Sequence, residues 1–300
     1  MKQLSACPVC GSERIRHDLD APTTRGIDRK VWRIDRCEDC THGFMNPQPT
    51  WAELEDYYTS SYDPYDPSHG AEAPADVIVE KARRDGEFRH IRISPGIRLL
   101  DVGCGAGFFL RIAARLGAEV QGVEPSDIAA SRARESGIPV FTGTVEDYAG
   151  SSGDRQFDLI TANHVLEHTP DPVRTLGVMK GLLAPGGVIW IAVPNSDCTF
   201  SRRLRSCWYS LDVPFHLMQF TMESLSKAGD LAGLKILSVR TYSLPASTAA
   251  SLRQLLRRRY LIPKRVTQRI GLIDTVVAQR LARRHDRQSR GEAILAEFGR

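Results

Sequence analysis

The sequence predicts an α/β fold built on a parallel sheet, with a small cysteine-bearing module ahead of the sheet and a helical extension behind it. Three observations carry this expectation. From Gly96 onward, strand-like and helix-like patterns alternate, the order that βαβ units require. Within that series an apolar run ends in a turn holding Gly103, Gly105 and Gly107 at every second position, and an apolar helical pattern follows from Phe108. Near the start, two C-x-x-C pairs, Cys7 with Cys10 and Cys37 with Cys40, are separated by 26 residues.

Composition narrows the class. Three hundred residues suffice for one large α/β domain with appendages, or for two domains. Hydrophobic residues make up 42% and charged residues 25%, the proportions of an ordinary soluble globular protein. No apolar run approaches the ~20 residues of a transmembrane helix. Met1 to Cys7 lacks the apolar core of a signal peptide, so the expected location is the cytoplasm. The net charge is only +4, yet 13 lysines and arginines face 4 acids between Ser251 and Arg300. Nucleic acid, an anionic membrane surface or a phosphorylated substrate could use such a tail; a solvated helical face is the plainer reading.

Taken in order, the cysteines come first. Each C-x-x-C turn can present two thiolates to one tetrahedral centre at ~2.3 Å, and two such turns close a structural zinc site with no open position for catalysis. In a reducing compartment this pattern favours metal over disulfides, the alternative being four free thiols. Val31-Trp32-Arg33-Ile34 between the pairs alternates like a strand, and the whole looks like a zinc ribbon. So small a unit buries little apolar area, so metal would supply much of its folding energy. Gly43 to Thr50 contains N-P-x-P-T, and a short acidic helix ending at Tyr57 and Tyr58 follows, with Tyr62 beyond. Three prolines between Asp63 and Pro74 mark a linker, and a helix from about Ala75 to Arg92 leads into the sheet, its tyrosine-rich approach forming part of a lid.

The glycine turn is a nucleotide-cradling loop, because backbone N–H groups at a helix start can approach a ligand closely only where no Cβ intervenes. Its G-x-G-x-G spacing lacks the wider last gap of the dinucleotide fingerprint. Seventeen residues past Gly107, the strand Val120–Glu124 ends in an acid that can accept two hydrogen bonds from ribose hydroxyls, and Pro125-Ser126 opens the next helix. A third strand lies around Ile138–Phe141, followed by Gly143-Thr144-Val145-Glu146-Asp147. The strand Phe157–Ala162 runs into Asn163-His164-Val165-Leu166-Glu167-His168, and Leu182 to Asn195 reads as helix end, P-G-G turn and strand.

D-V-G-C-G-A-G from Asp101, the acid at Glu124, the Asn163 to Pro172 run and the P-G-G turn resemble, in order and interval, the motifs of class I S-adenosylmethionine (SAM) methyltransferases. The paired cysteines and N-P-x-P-T are similar to a bacterial group of these enzymes with an N-terminal zinc-ribbon-like segment. The resemblance runs from Cys7 to about Tyr242. It implies a Rossmann-like, seven-stranded, mostly parallel sheet with helices on both faces and a reversed edge strand. It also implies SAM as cofactor, held by Asp101, Gly103, Cys104, Gly105, Gly107, Glu124, Pro125, Thr144, Val145, Glu146 and Asn163, with Glu146 or Asp147 near the adenine.

If helical, His164-x-x-Glu167-His168 puts its three polar side chains on one face, a spacing that can converge on a cation. It resembles the E-x-x-E-H motif with which ubiquinone-biosynthesis O-methyltransferases and small-RNA 3′-end methyltransferases bind a divalent metal, except that histidine stands first. His216, in a stretch resembling the family's acceptor-pocket insertion, would be a fourth ligand. Alternatively the cluster bonds the domain's own loops, or a histidine serves as general base, His216 foremost and His164 and His168 as further catalytic candidates.

Thr221 caps a helix reaching Ala232-Gly233, and a strand follows at Lys235–Val239. Beyond Pro245, Leu252, Leu255 and Leu256, then Val266, Ile270, Ile273, Val277 and Leu281, recur at helical spacing, giving two amphipathic helices with arginine-rich outer faces. They would cover the active site, mediate dimerisation or rest on an anionic surface. The expected units are thus 1–62, a zinc-ribbon-like segment and lid helix; 63–92, linker and leading helix; 93–244, the SAM-binding domain; and 245–300, the basic helical extension. The expected activity is methyl transfer to a small-molecule acceptor, a natural product or a polysaccharide or lipid precursor, with O-methylation favoured. An RNA methyltransferase using the zinc ribbon and basic tail is the second reading, although an N-P-P-Y-like motif is missing; a SAM-binding scaffold is the third. The partners expected are the acceptor, then nucleic acid, then peripheral membrane contact through the tail, in a monomer or homodimer.

Overall fold

The computed structural model describes residues 1–24, 28–58, 90–243, 245–268 and 277–300. The expected linker at 63–74, and nearly all of the leading helix at 75–92, lie outside them.

At the N-terminus the chain forms β1 (Ile15–Pro22), β2 (Val31–Cys37) and β3 (Gly43–Met45), which pair antiparallel with β9 (Met218–Gln219) in the order β1-β2-β3-β9. The alternation read in Val31–Ile34 is real: Val31 and Arg33 are exposed while Trp32 and Ile34 are buried. What the alternation does not disclose is the fourth strand, which arrives from the other half of the chain, Met45 ending β3 and Met218 opening β9. Trp32, Ile34 and Phe44 share one apolar core with Trp208, Phe215 and Phe220. Each such large side chain contributes about 1.5–3 kcal/mol by burial, so this module is held by the main domain as well as by its own cysteines. A capped turn of helix, α1 (Trp51–Leu54), follows; Thr50 and Glu53 form its capping box, and a 3₁₀ turn then runs to Tyr57.

The larger sheet contains β4 (Arg98–Val102), β5 (Glu119–Glu124), β6 (Val140–Thr142), β7 (Phe157–Asn163), β8 (Leu183–Pro194), β10 (Lys235–Tyr242) and β11 (Ala293–Gly299), in the order β10-β11-β8-β7-β4-β5-β6. The five strands from β8 to β6 are parallel, and β11 is antiparallel to both its neighbours. The helices are α2 (Phe108–Arg115), α3 (Asp127–Glu135), α4 (Val145–Ser151), α5 (Pro172–Gly181), α6 (Thr199–Leu204), α7 (Met222–Leu231), α8 (Pro245–Arg259), α9 (Lys264–Gln268) and α10 (Ala278–Arg287). This is the Rossmann-like seven-stranded arrangement expected, except that the reversed strand is β11, second from the edge, while the edge strand β10 runs in the same direction as β8.

One boundary differs. The helical extension ends with α10, and the last residues return as β11, wedged between β8 and β10. Ile294, Leu295, Ala296 and Phe298 are all buried. A strand covered on both faces shows no polar alternation, so neither the period of two nor the helical period betrays it.

Candidate active site

In the larger sheet β4 pairs with β5 on one side and β7 on the other, so the chain reverses its direction of travel across the sheet at β4. Open α/β sheets bind ligands at such a switch point, outside the carboxyl ends of the strands. Here those ends are Val102, Glu124, Thr142 and Asn163.

The glycine turn after β4 needs its glycines. Gly103, Gly105 and Gly107 have φ of +67°, +54° and +75°, a region L side chains rarely adopt. A Cβ on Gly103 would stand 2.5 Å from Cγ2 of Val165. The Gly103 N–H donates to the Val123 carbonyl at 2.7 Å, which seats the turn on β5. Glu124 completes the seat: Oε2 accepts from the Gly105 N–H at 2.8 Å and Oε1 from the Ser126 N–H at 2.9 Å. Burial raises the pKa of this carboxyl, and the two N–H donors act against the shift. Two of its about four lone-pair positions remain for further donors.

Asp101 is buried and accepts from the Thr161 hydroxyl at 2.6 Å; burial lifts its pKa to about 7, with the Glu124 charge adding to the effect. Cys104 points away, its thiol packed in the core beneath Gly122 and held protonated by burial, so its backbone alone faces the turn. Pro125 and Thr144 are exposed at the starts of α3 and α4, and Val145 is buried. Asp147 closes a capping box with Thr144, and Glu146 accepts from the Thr175 hydroxyl at 2.8 Å, so both acids hold α4 in place. Oδ1 of Asn163 is buried with no hydrogen-bond partner among the described residues.

Beyond β7 the chain does not continue as the helix that the H-x-x-E-H spacing invites. His164 takes a left-handed φ of +55°, and one 3₁₀ turn covers Leu166–His168. The side chains meet by another route. Glu167 is fully buried; His164 Nδ1 lies 3.0 Å from its Oε1, and His216 Nε2 lies 3.9 Å from the same oxygen. Its Oε2 is buried without a partner among the described residues. His168 Nδ1 donates to the Phe215 carbonyl at 2.8 Å, and His216 Nδ1 to the Ser210 carbonyl at 2.9 Å. Each carbonyl fixes the proton on Nδ1 and leaves the lone pair on Nε2. The Tyr58 hydroxyl stands 3.2 Å from His168 Nδ1, tying the end of the 3₁₀ turn after α1 to the cluster.

Glu167, His168 and His216 present ligand atoms that all lie within 4.8 Å of one another, and His164 stands behind Glu167 as its hydrogen-bond partner. Burial opposes ionisation of Glu167, but the His164 hydrogen bond and the surrounding imidazoles outweigh it and its pKa lies below the usual range. Burial lowers His168 to about 4, so its ring is neutral. A buried carboxylate with two imidazoles, each with Nδ1 bonded to a carbonyl and Nε2 turned to the cluster, is a donor set for a divalent cation. Sequence reasoning missed the Phe215 and Ser210 carbonyls and Thr161, because backbone acceptors and a lone threonine leave no motif.

A family profile described as methyltransferase domain matches residues 80–239, more than half of the chain. The chain belongs to this methyltransferase family. It is 36% identical over 137 residues to a ubiquinone biosynthesis O-methyltransferase of Proteus mirabilis, covering 44% of this chain and 50% of that protein. It is 38% identical over 109 residues to the enzyme of the same name from Actinobacillus pleuropneumoniae, covering 33% and 47%. The chain thus spans about half the length of the curated relatives it matches. A SAM-dependent methyltransferase structure from Archaeoglobus fulgidus superposes with a TM-score of 0.51 at 17% identity, over 76% of this chain and 95% of that one, a likeness of fold.

The cysteine module of this methyltransferase has its own geometry. Cys7 Sγ lies 3.5 Å from Cys40 Sγ and Cys10 Sγ lies 3.6 Å from Cys37 Sγ, all four sulfurs falling within 4.8 Å of one another. These separations are far too long for disulfides, whose S–S bond is about 2.05 Å. They approach the ~3.8 Å edge of a tetrahedron with ~2.3 Å metal–sulfur bonds.

Proposed function

We propose that this methyltransferase moves the methyl group of SAM onto an oxygen of a small-molecule acceptor, with a divalent cation held by Glu167, His168 and His216. The observation that carries the cation is the unpartnered, buried Oε2 of Glu167 between two imidazoles whose lone pairs are set by carbonyl hydrogen bonds. An uncompensated buried carboxylate oxygen is costly, and a cation offsets that cost. When bound, such a cation acts as a Lewis acid that favours ionisation of a hydroxyl beside it.

The chain's own residues do the rest. Glu124 receives the ribose hydroxyls of SAM and holds the glycine turn in position, while the Asn163 amide and the Asp101 carboxyl line the far side of the cofactor. The acceptor oxygen attacks the methyl carbon in line; the new O–C bond forms as the S–C bond breaks, and S-adenosylhomocysteine leaves. The acceptor proton passes to His164, whose imidazole is more than a third exposed and already bonded to Glu167. Most of the rate comes from holding oxygen and methyl in contact. The four cysteines bind a structural zinc ion, which the sulfur separations favour.

The experiment is S-adenosylhomocysteine release with a panel of phenolic, sugar and lipid-precursor hydroxyls, with and without chelator and with Mg²⁺, Mn²⁺ or Zn²⁺ restored. Acceptor-dependent turnover that chelator removes and metal restores supports the reading. Turnover indifferent to chelator but abolished by His216→Ala would make His216 the base instead.

A further inference from the structure

The C-terminal helices lie outside the cofactor cleft and outside the family match, and their surface is unlike the rest of the chain. Between Pro245 and Arg287 stand 11 lysines and arginines and 2 acids. On α10 the buried positions are Ala278, Ala282 and His285, so its apolar face is already spent on the protein. At 100° per residue, Arg280, Arg283, Arg284 and Arg287 occupy the opposite, exposed face. They surround a shallow recess of about 310 Å³ together with Gln288, and none is in an ion pair among the described residues.

A second feature adjoins the first. β10 and β11 are paired at Tyr242 and Ala293, so α8 leaves and α10 returns at the same end of that pair, and α8 packs against both α9 and α10. The residues after α8, within α9 and before α10, the tip of this extension, expose apolar side chains: Tyr260 is 64% exposed, Leu261 84%, Val266 50% and Val277 40%. Val277 sits on the flank of the arginine face, and Arg257 folds α9 back on α8 by donating to the Thr267 hydroxyl at 2.8 Å.

We propose that this basic face and its apolar tip form a docking surface for an anionic phospholipid bilayer, the recess receiving headgroup phosphates while Tyr260, Leu261, Val266 and Val277 enter the interface. Arginines near an anionic surface attract it additively within a Debye length, and a few apolar side chains add the burial term of peripheral binding. A second copy of the chain fits less well, because a two-fold contact through this face sets arginines against arginines. Nucleic acid would use the arginines but has no use for Leu261, Val266 and Val277. The inference is independent of the acceptor and of the cation proposed above.

The test is co-sedimentation of the full chain with vesicles of phosphatidylcholine alone and of equal parts phosphatidylcholine and phosphatidylglycerol. Binding is expected to the mixed vesicles only and to fall as salt is added. Arg284→Glu with Arg287→Glu is expected to weaken it about tenfold or more, and Leu261→Ser severalfold with the salt dependence kept. Far-UV circular dichroism and SAM affinity, which these exposed positions do not touch, report folding. Absence of binding to the mixed vesicles overturns the proposal. So does binding that Leu261→Ser leaves unchanged while a single-stranded RNA oligonucleotide binds more tightly, which would make nucleic acid the partner.

Discussion

Nε2 of His216 stands 3.9 Å from Oε1 of Glu167, although 49 residues separate them in the chain. The gap is too long for a hydrogen bond. It is also longer than the ~3.6 Å that separates neighbouring ligand atoms on a tetrahedral cation with ~2.2 Å bonds, so a cation would meet the unpartnered Oε2 of Glu167 while Oε1 stays with His164. The His216 Nδ1 bond to the Ser210 carbonyl holds the ring in that orientation.

Glu167→Gln keeps the shape of the side chain and removes its charge. Affinity for Mn²⁺ or Zn²⁺ at this cluster is expected to fall about 100-fold, since a carboxylate ligand becomes a neutral amide. Calorimetric titration of the metal reads this directly, with the cysteine site kept saturated by zinc. SAM affinity is expected to stay within about twofold, because Glu124 and the glycine turn are untouched. Unchanged metal binding would remove Glu167 from the ligand set.

Gly103→Ala meets two obstacles, a left-handed φ and the Val165 methyl. Together they are expected to cost about 1–3 kcal/mol of stability and to abolish measurable SAM binding. Adding Val165→Ala removes the clash but not the strained φ, so it restores only part of the stability. A thermal melt of the single and double variants separates the two contributions, and full recovery in the double would show that φ at this turn carries no cost.

Cys37→Ser removes one thiolate from the four-sulfur cluster. Loss of one zinc equivalent, read by a metallochromic indicator on unfolding, is expected, with an unfolding temperature lower by about 5 °C or more. The effect reaches the whole domain because β3 pairs with β9. A variant that keeps both its zinc and its melting temperature would contradict this.

Glu292 links stability to pH. It is buried between α8 and β11 with a hydrogen bond from Thr248 at 2.9 Å, and burial raises its pKa from 4.5 to about 8. Between these values the folded chain keeps a proton that the unfolded chain has lost. Stability therefore falls as pH rises from about 4.5 to about 8 and levels above that, a contribution on the order of a few kcal/mol. Glu292→Gln cannot ionise and is expected to flatten this slope in urea titrations between pH 5 and 8.5. An equal slope in both proteins would mean that the carboxyl ionises freely in the folded state.

The sequence by itself determined whatever is encoded over a few consecutive residues. The glycine turn was legible because only glycine fits three left-handed positions in five residues. Glu124 was legible because one helix separates it from that turn, and the cysteine pairs because two thiols per knuckle need no distant partner. The parallel order of β4 to β8 followed from alternating elements, since a parallel neighbour requires a crossover. Tertiary structure alone decided the rest. It brought His216 to Glu167, used the Phe215 and Ser210 carbonyls to set two imidazole tautomers, and placed β9 beside β3. It also returned residues 293–299 to the sheet, and it turned the chain at His164 so that Glu167 and His168 meet His216 without the helix that the H-x-x-E-H spacing suggested. These relationships join residues tens to hundreds of positions apart, and the free energy that selects them is burial and hydrogen bonding between faces that no local pattern records.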